Sequence, residues 1–522
     1  MRKTLLFIAL SSFFMGTAAQ EKSDNETFSR LKDSIQYRVD IEGSFSKGKT
    51  PLWLNANKYG LSSLEKNNGY IRAAAERPIS VDYERKWGIG YGLDVAVPFN
   101  YTSNFVVQQA YVQARWLKGM LTIGAKEEPM ALKNNQLSSG SQTLGINARP
   151  VPQVRISLPD YWTIPFTKGL LQLKGHISYG MMTDQNWQHD FTNRKSKYAD
   201  NLLYHSKAGF LRIGDVDRFK PFSVELGLEM ATVFGGKAYH PRSDGSVKVY
   251  ENKTDLSAFW HAFFPGGAEI NETVYKNVEG NQLGSWLIRF NWDEDLWDFH
   301  VYGEKFFDDH SAMLFVDYDG FGIGDNWQKK EKRRYLFYDI KDMMLGAEFN
   351  FKYDSPIKSI VFEYLYTKYQ SGPIYHDHTP TINDHIGGSD DFYNHYIYTG
   401  WQHWGQNIGN PLYMSPIYNT DGQIKIKNNR FSAVHLGLSG ILFQNLNYRV
   451  LATYQDGLGT YDNPYYSIKH NVSLLAEAEY KMNMKPLRGW SIRGAFGADM
   501  GSLLGHNYGF QITLSKRGLL FK

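Results

Sequence analysis

The chain has 522 residues, 15% of them aromatic, with 48 glycines and no cysteine. Disordered segments are poor in aromatics, so disorder is excluded, and without cysteine a disulfide scaffold, a thiolate metal site and a cysteine nucleophile are excluded too. The 57 Lys and Arg against 53 Asp and Glu leave a net charge of +4, too small a bias to predict nucleic acid as a partner.

Arg2 and Lys3 precede an apolar run over residues 5–15, and the small residues Thr17-Ala18-Ala19 follow. This order predicts a secretory signal peptide over 1–19, cleaved after Ala19. The run is shorter than the ~18 consecutive apolar residues of a spanning helix, and no other stretch approaches that length. No cysteine follows the cleavage site to carry a lipid anchor. Residues 20–69 form an N-terminal segment with a strand candidate at 36–45 and short helical candidates at 28–35 and 58–66. Its stretch Lys49-Thr50-Pro51-Leu52-Trp53-Leu54-Asn55-Ala56-Asn57 is a candidate for an extended plug.

From residue 70 to 522 the dominant signal has period two. In Phe222-Ser223-Val224-Glu225-Leu226-Gly227-Leu228-Glu229-Met230 the even positions are apolar and the odd ones small or charged. The pattern returns at 286–292, 345–353, 448–454, 472–482 and 508–514. Alternation puts one set of side chains on each face of a strand, which a soluble sandwich would also show. Strand length separates the two. Many candidates run about 9–13 residues, close to the ~9–11 that cross a bilayer at a tilt and longer than the usual ~5–6.

Connection length agrees. Short turns are predicted at 483–488, 443–446, 354–358, 293–296, 215–220, 166–168 and near Lys118. Mostly longer ones alternate with them, at 500–505, 456–468, 371–429, 307–342, 235–284, 183–202, 127–151 and 99–104. Sorting of loops by parity is the organisation of outer-membrane barrels. The prediction is an all-β chain: a transmembrane antiparallel barrel of about 18 strands with long extracellular loops, in the even-numbered series of bacterial barrels. Glu225, Glu229, Arg289, His300, Glu304, Glu348, Lys352, Glu363, Arg449, Glu477, Glu479 and Arg493 fall on the polar face. They suit a wet or hydrogen-bonded lumen and not lipid.

The longest loop carries the most concentrated polar material. His376-Asp377-His378, Asp384-His385, Asp390-Asp391, His395 and His403 are metal-ligand types, but their spacing matches no known site, and loops collect Asp, His and Gly for turns. No metal site and no cofactor are predicted. Ser389 with His385 and Asp384 supplies triad residue types without the geometry that defines a relay. GxSxG, HExxH and P-loop motifs are absent, so no enzyme activity is expected. Further on, Tyr396, Tyr398, Trp401, His403, Trp404, Gln406, Asn407 and Asn410 interleave aromatic faces with amides. Rings stack on sugar CH groups and amides bond hydroxyls, so these eight are candidate carbohydrate contacts. The alternative is that the aromatics pack the loop down into the barrel mouth. Lys329, Lys330, Lys332, Arg333 and Arg334 form a basic patch that could attract acidic polysaccharide or lipid phosphate, or be a solvated hairpin tip.

Two stretches resemble the Wzi family of outer-membrane capsule-assembly proteins. One is the strand pair Gln109-Ala110-Tyr111-Val112-Gln113-Ala114-Arg115-Trp116 to Leu121-Thr122-Ile123-Gly124, with the loop running to Pro150. The other is Tyr393-Asn394-His395-Tyr396-Ile397-Tyr398 through Gly405-Gln406 to Ile408-Gly409-Asn410-Pro411-Leu412. The resemblance implies a Gram-negative outer-membrane lectin that retains capsular or exopolysaccharide without chemistry. Its partners would be that polysaccharide, outer-membrane lipid and, as a candidate, the polysaccharide-export machinery. Enterobacterial members carry a long helical region before the barrel, whereas here only residues 20–69 are available. The rival is a porin or substrate-specific channel, since about 18 strands can enclose an aqueous pore. A lipase or protease would need a rigid Ser–His or paired-carboxylate site.

Overall fold

The computed structural model describes residues 31–215, 220–264, 280–308, 341–370 and 390–520, with short pieces at 313, 320–321 and 324–331. The predicted signal peptide, and His376, His378, Asp384, His385 and Ser389, lie outside them. Eighteen strands build the wall. The first six are β1 (Gln36–Lys47), β2 (Asn67–Arg77), β3 (Trp87–Phe99), β4 (Val106–Trp116), β5 (Gly119–Ala125) and β6 (Gln153–Thr163). Then come β7 (Leu171–Met181), β8 (Leu203–Ile213), β9 (Phe222–Phe234), β10 (Asn281–Asp293), β11 (Trp297–Phe307) and β12 (Met343–Phe351). The last are β13 (Ser359–Tyr366), β14 (Phe431–Phe443), β15 (Leu446–Gly459), β16 (Pro464–Lys481), β17 (Trp490–Gly501) and β18 (Asn507–Leu519). Each pairs antiparallel with the next. β1 pairs with β18 from Gln36 opposite Leu519 to Lys47 opposite Tyr508, closing the sheet. Closure leaves no unpaired backbone edge to face lipid.

The two faces follow the alternation. Val224, Leu226, Leu228 and Met230 of β9 point out, and Glu225 and Glu229 point in, buried. Ile41, Ile71, Val97, Val112, Ile156, Ile177, Ile288, Phe362, Leu436, Ile492 and Ile512 continue the outward apolar band around the wall. Trp87, Trp116, Trp162 and Trp292 mark one end of the band, and Phe45, Phe99, Phe105 and Tyr508 the other, as girdles at two interfaces would. Connections at one rim are short (117–118, 294–296, 444–445), and those at the other include 126–152, 235–280 and 367–430. The chain is therefore a closed outer-membrane-type barrel with long extracellular loops. Lys352, placed in the lumen by the alternation, instead sits at the inner rim beside Asp293, because β12 stops at Phe351.

Most of the apolar core lies inside the wall. Trp53, Leu54, Leu137, Phe392, Tyr393, Tyr398, Trp401 and Tyr413 cluster there, with Phe306 and Phe431 from the strands. They belong to three outer connections, 48–66, 126–152 and 390–430, that fold back into the lumen. The helix expected over 58–66 does not form. Asn57, Tyr59 and Gly60 take positive φ, which breaks a right-handed helix. One turn of helix forms earlier, at Leu52–Asn55, where an extended run was expected, and all four of its residues are buried.

Candidate functional site

The wall is cut to receive segments 48–66 and 126–152. An added Cβ at Gly497 of β17 would lie 2.8 Å from Leu54 Cγ, and one at Gly437 of β14 would meet Leu137 Cβ at 2.8 Å. The Leu52 amide donates to Asp499 (3.1 Å), and Trp53 Nε1 donates to the Thr453 hydroxyl (3.1 Å). Segment 126–152 is fixed by two lumen carboxylates. Glu363 accepts from the Ser138 hydroxyl (2.5 Å), the Ser139 amide (2.8 Å), the Ser139 hydroxyl (2.5 Å) and the wall residue Tyr302 (2.6 Å). Glu304 pairs with Lys133 and accepts from the Ser141 hydroxyl and the Gln142 amide. Hydrogen bonds to charged acceptors are worth about 1.5–3 kcal/mol each, so these two glutamates make 126–152 a rigid part of the interior.

Seven of the eight carbohydrate candidates are inside this plug. Trp401 has no exposed surface, stacks near Tyr204 (6.0 Å between centroids) and donates from Nε1 to the Thr143 carbonyl at 2.9 Å. Tyr398 is buried with it. Trp404 carries the Arg149 guanidinium 4.2 Å above its ring. Gln406 donates to the Ser62 hydroxyl, and Asn407 accepts from Asn147. Asn410 donates to the Ser139 hydroxyl and the Gly140 carbonyl. The polar atoms expected to bond sugar hydroxyls bond the neighbouring plug segment, and a ring without exposed surface has no face for a sugar. The remaining candidate, Tyr396, is 71% exposed at the outer rim. Of the basic patch, Lys329 is exposed beside the turn Gly324–Asn326, Lys330 lies in the short strand Lys330–Glu331, and Lys332, Arg333 and Arg334 lie outside the described residues.

His403 shows how closely the plug is fitted. Its Nδ1 stands 2.8 Å from the Arg149 carbonyl, and its Nε2 is 3.2 Å from the Thr183 amide nitrogen. A neutral imidazole donating from Nδ1 and accepting at Nε2 satisfies both partners. Burial pushes the imidazole down to about 4, the Arg149 charge adding to it against the hydrogen bonds. Burial likewise pushes the Arg149 guanidinium down to about 10.

Above the plug, Tyr396 meets residues from another loop. The strands Lys237–Pro241 and Val247–Glu251 pair as a hairpin in the β9–β10 connection, with His240 opposite Lys248 and Ala238 opposite Tyr250. His240 lies 4.7 Å from the Tyr250 ring and 6.0 Å from that of Tyr396, and the two tyrosine hydroxyls are 3.3 Å apart. Lys248 Nζ sits 4.3 Å over the Tyr250 ring. Burial raises the Tyr250 phenol, but hydrogen bonds with Lys248 and Tyr396 and the cations of Lys248 and Arg242 outweigh it and hold it below its usual value. His240 Nε2, 2.9 Å from the Ile397 carbonyl, ties the hairpin to the plug. The result is an open cluster of aromatic faces, hydroxyls and a cation. His240, Lys248 and Tyr250 were not singled out in the sequence. Their signal is the alternation of Ala238, His240 and of Lys248, Tyr250 inside what reads as one long loop. Among the described residues no group of three or more His, Asp or Glu could hold a metal ion.

No protein-family model matches the sequence, and no curated protein sequence matches it. Among solved structures the chain is similar to Wzi of Escherichia coli, described as an outer-membrane protein involved in group 1 capsule assembly and a carbohydrate-binding β-barrel. The TM-score is 0.55 at 14% identity, over 94% of this chain and 86% of that one. OprD of Pseudomonas aeruginosa aligns over 94% of this chain and 96% of its own at 9% identity, with a TM-score of 0.44. At such identities the likeness to Wzi shows a common barrel fold and no more, and the wall has the architecture of outer-membrane proteins.

Proposed function

We propose that the protein is a non-enzymatic outer-membrane barrel that binds and retains capsular or exopolysaccharide at the cell surface. The observation that carries this proposal is the rim cluster of His240, Lys248, Tyr250 and Tyr396 standing over a lumen filled by the chain's own loops. Among the described residues that arrangement offers a surface for a glycan above segments 48–66, 126–152 and 390–430, which occupy the outer lumen. The carbohydrate binding described for Wzi supports the same proposal. Sugar CH groups would stack on the tyrosines, and hydroxyls would bond to the imidazole, phenols and ammonium.

The experiment is binding of purified protein to the host's own surface polysaccharide, with planar-bilayer conductance on the same preparation. Saturable binding without steady current is expected, and Tyr250→Ala with Tyr396→Ala should abolish it while the protein still folds. Unchanged binding by that double variant would remove the rim cluster from the site. One observation favours a second function, a substrate-specific channel: a 620 Å³ cavity in the wall's inner half is lined by Arg38, Glu76, Asp94, Lys126 and Glu127. Large steady currents without glycan binding would establish that function instead.

A further inference from the structure

The helix Leu256–Phe263, which follows the rim hairpin, does not point into the lumen. It lies against the outside of the wall. Tyr179, on the outward face of β7 with Ile177 and Met181, donates from its hydroxyl to the Phe259 carbonyl (2.9 Å), and their rings are 5.2 Å apart. Phe259 also meets outward Phe234 edge-on at 5.3 Å, and Phe263 covers outward His205 at 5.6 Å. The Lys207 ammonium donates to the Phe263 carbonyl and sits 4.5 Å over its ring, and Gln282 Nε2 donates to the His261 carbonyl. His205, Lys207, Thr232 and Gln282 all belong to the outward register of β8, β9 and β10. They form a polar notch in a surface that is otherwise apolar, and the helix is its cover.

The notch lies at membrane depth. β4 and β8 each have 11 residues, and around β4 the exposed rings of Phe105 and Trp116 mark the two girdles. Lys207 is the fifth residue of β8 from its outer end, roughly 10 Å below the rim at ~3.3 Å per residue and a tilt near 40°. An uncovered lysine there would face acyl chains at a cost of several kcal/mol. The helix hides it and presents Leu256, Trp260 and Phe264 outward at a spacing of four, 88%, 61% and 50% exposed. With Phe259, Ala262 and Phe263 packed inward, the helix is apolar on both sides, and such helices are buried on both sides. Among the described residues the wall covers one side and nothing covers the other.

We infer that Leu256, Trp260 and Phe264 insert into the acyl region of the outer leaflet, so that Leu256–Phe263 is a membrane-seated anchor continuous with the barrel's lipid-facing band. Its occupant is lipid: the ridge joins the exposed band at Ile177 and Met181, and an aromatic such as Trp260 suits the interface. The anchor clamps the chain just after Val247–Glu251, which holds Lys248 and Tyr250 at the rim whatever ligand they take.

The chain's lack of cysteine makes the test direct. Trp260→Cys and, separately, Leu256→Cys are labelled with bimane, with Ile177→Cys on the wall and Asp244→Cys on the hairpin tip as references. Each is reconstituted in phosphatidylcholine vesicles with or without brominated acyl chains, and folding is checked by heat-modifiable migration. Labels at 256 and 260 should be quenched several-fold more by brominated lipid than by aqueous iodide, matching position 177. Quenching by iodide at the level of position 244 would overturn the inference, since the ridge would then be in water. Resistance to both quenchers would overturn it as well, by showing a protein cover. Should Trp260→Cys fail to fold, Leu256→Cys carries the same comparison.

Discussion

Truncating Trp401 to alanine should open the lumen and leave the wall inserted. The ring is fully buried, its Nε1–H bonds the Thr143 carbonyl, and its flat contact is with Tyr204. Removing a buried tryptophan side chain costs about 3–5 kcal/mol, and the orphaned Thr143 carbonyl adds about 1 kcal/mol. That loss falls on contacts within the plug and between it and Tyr204 on the inner face of β8, while the backbone ladder, closed through β1 and β18, is untouched. At 1.4 kcal/mol per decade, the ratio of open to closed plug should rise by roughly three to four decades. The assay is single-channel recording in planar bilayers on protein whose heat-modifiable mobility matches the wild type. Frequent openings are expected from Trp401→Ala and rare ones from the wild type. Wild-type conductance combined with lost polysaccharide binding would refute the reasoning, because Trp401 would then be a glycan contact and not a keystone of the plug.

Glu363→Gln keeps the size but replaces a carboxylate that accepts from Ser138, Ser139 and Tyr302. A loss of about 2–4 kcal/mol in plug closure is expected from weakened charged hydrogen bonds, read as faster proteolysis within 126–152. Unchanged cleavage would mean that Glu363 does not hold that segment. Gly497→Val places side-chain atoms where Leu54 sits, and overpacking of about 1–3 kcal/mol should displace 48–66, seen as new protease sites there with the barrel still folded. His403 gives a pH dependence. Its folded value, about 4, lies below the ordinary 6.5, so plug stability is complete above pH 6.5 and falls as the pH drops towards 4. The full loss is about 3 kcal/mol, so channel openings should become more frequent over that window, and a flat profile would reject the neutral tautomer bound by Arg149 and Thr183.

The wall was legible in the sequence because lipid and water impose period two on every strand, and 222–230 alone fixes which face of β9 looks out. Loop lengths sorted by parity then gave orientation, and β1 emerged as the first stave. The plug was not legible in the same way. Ser138-Ser139-Gly140-Ser141-Gln142-Thr143 reads as a solvated loop, yet all six residues are buried, because lumen carboxylates supply acceptors for their amides and hydroxyls. Trp401 and Trp404 read as sugar platforms or, with slightly more weight, as core, and only their partners far along the chain, Thr143 and Arg149, separate the two. Leu256, Trp260 and Phe264 stand four apart in plain view. Nothing local says that a loop helix turns outward onto the wall, since that depends on a polar notch assembled from β8, β9 and β10.

The charges of the lumen divide into two sets with different work. In the outer half Glu363, Glu304 and Asp499 each bond a plug atom, Ser139, Gln142 and the Leu52 amide, and the buried imidazole of His435 bonds the Leu137 carbonyl. In the inner half Arg38 and Arg72 pair with Asp94, and Arg449 with Glu477, beside cavities of 620 and 340 Å³. A passage built for solutes would need its charges free along the whole height, and here Glu363, Glu304 and Asp499 are engaged by plug amides and hydroxyls and, at Glu304, by the Lys133 ammonium. Opening such a passage means desolvating or rehydrating several buried carboxylates together, at about 1–3 kcal/mol for each group left unpaired. A ligand bound at Tyr250 and Tyr396 gains nothing from that cost. On the proposed function the rim cluster would engage the partner, and the engaged carboxylates of the upper lumen would serve to hold that surface in place.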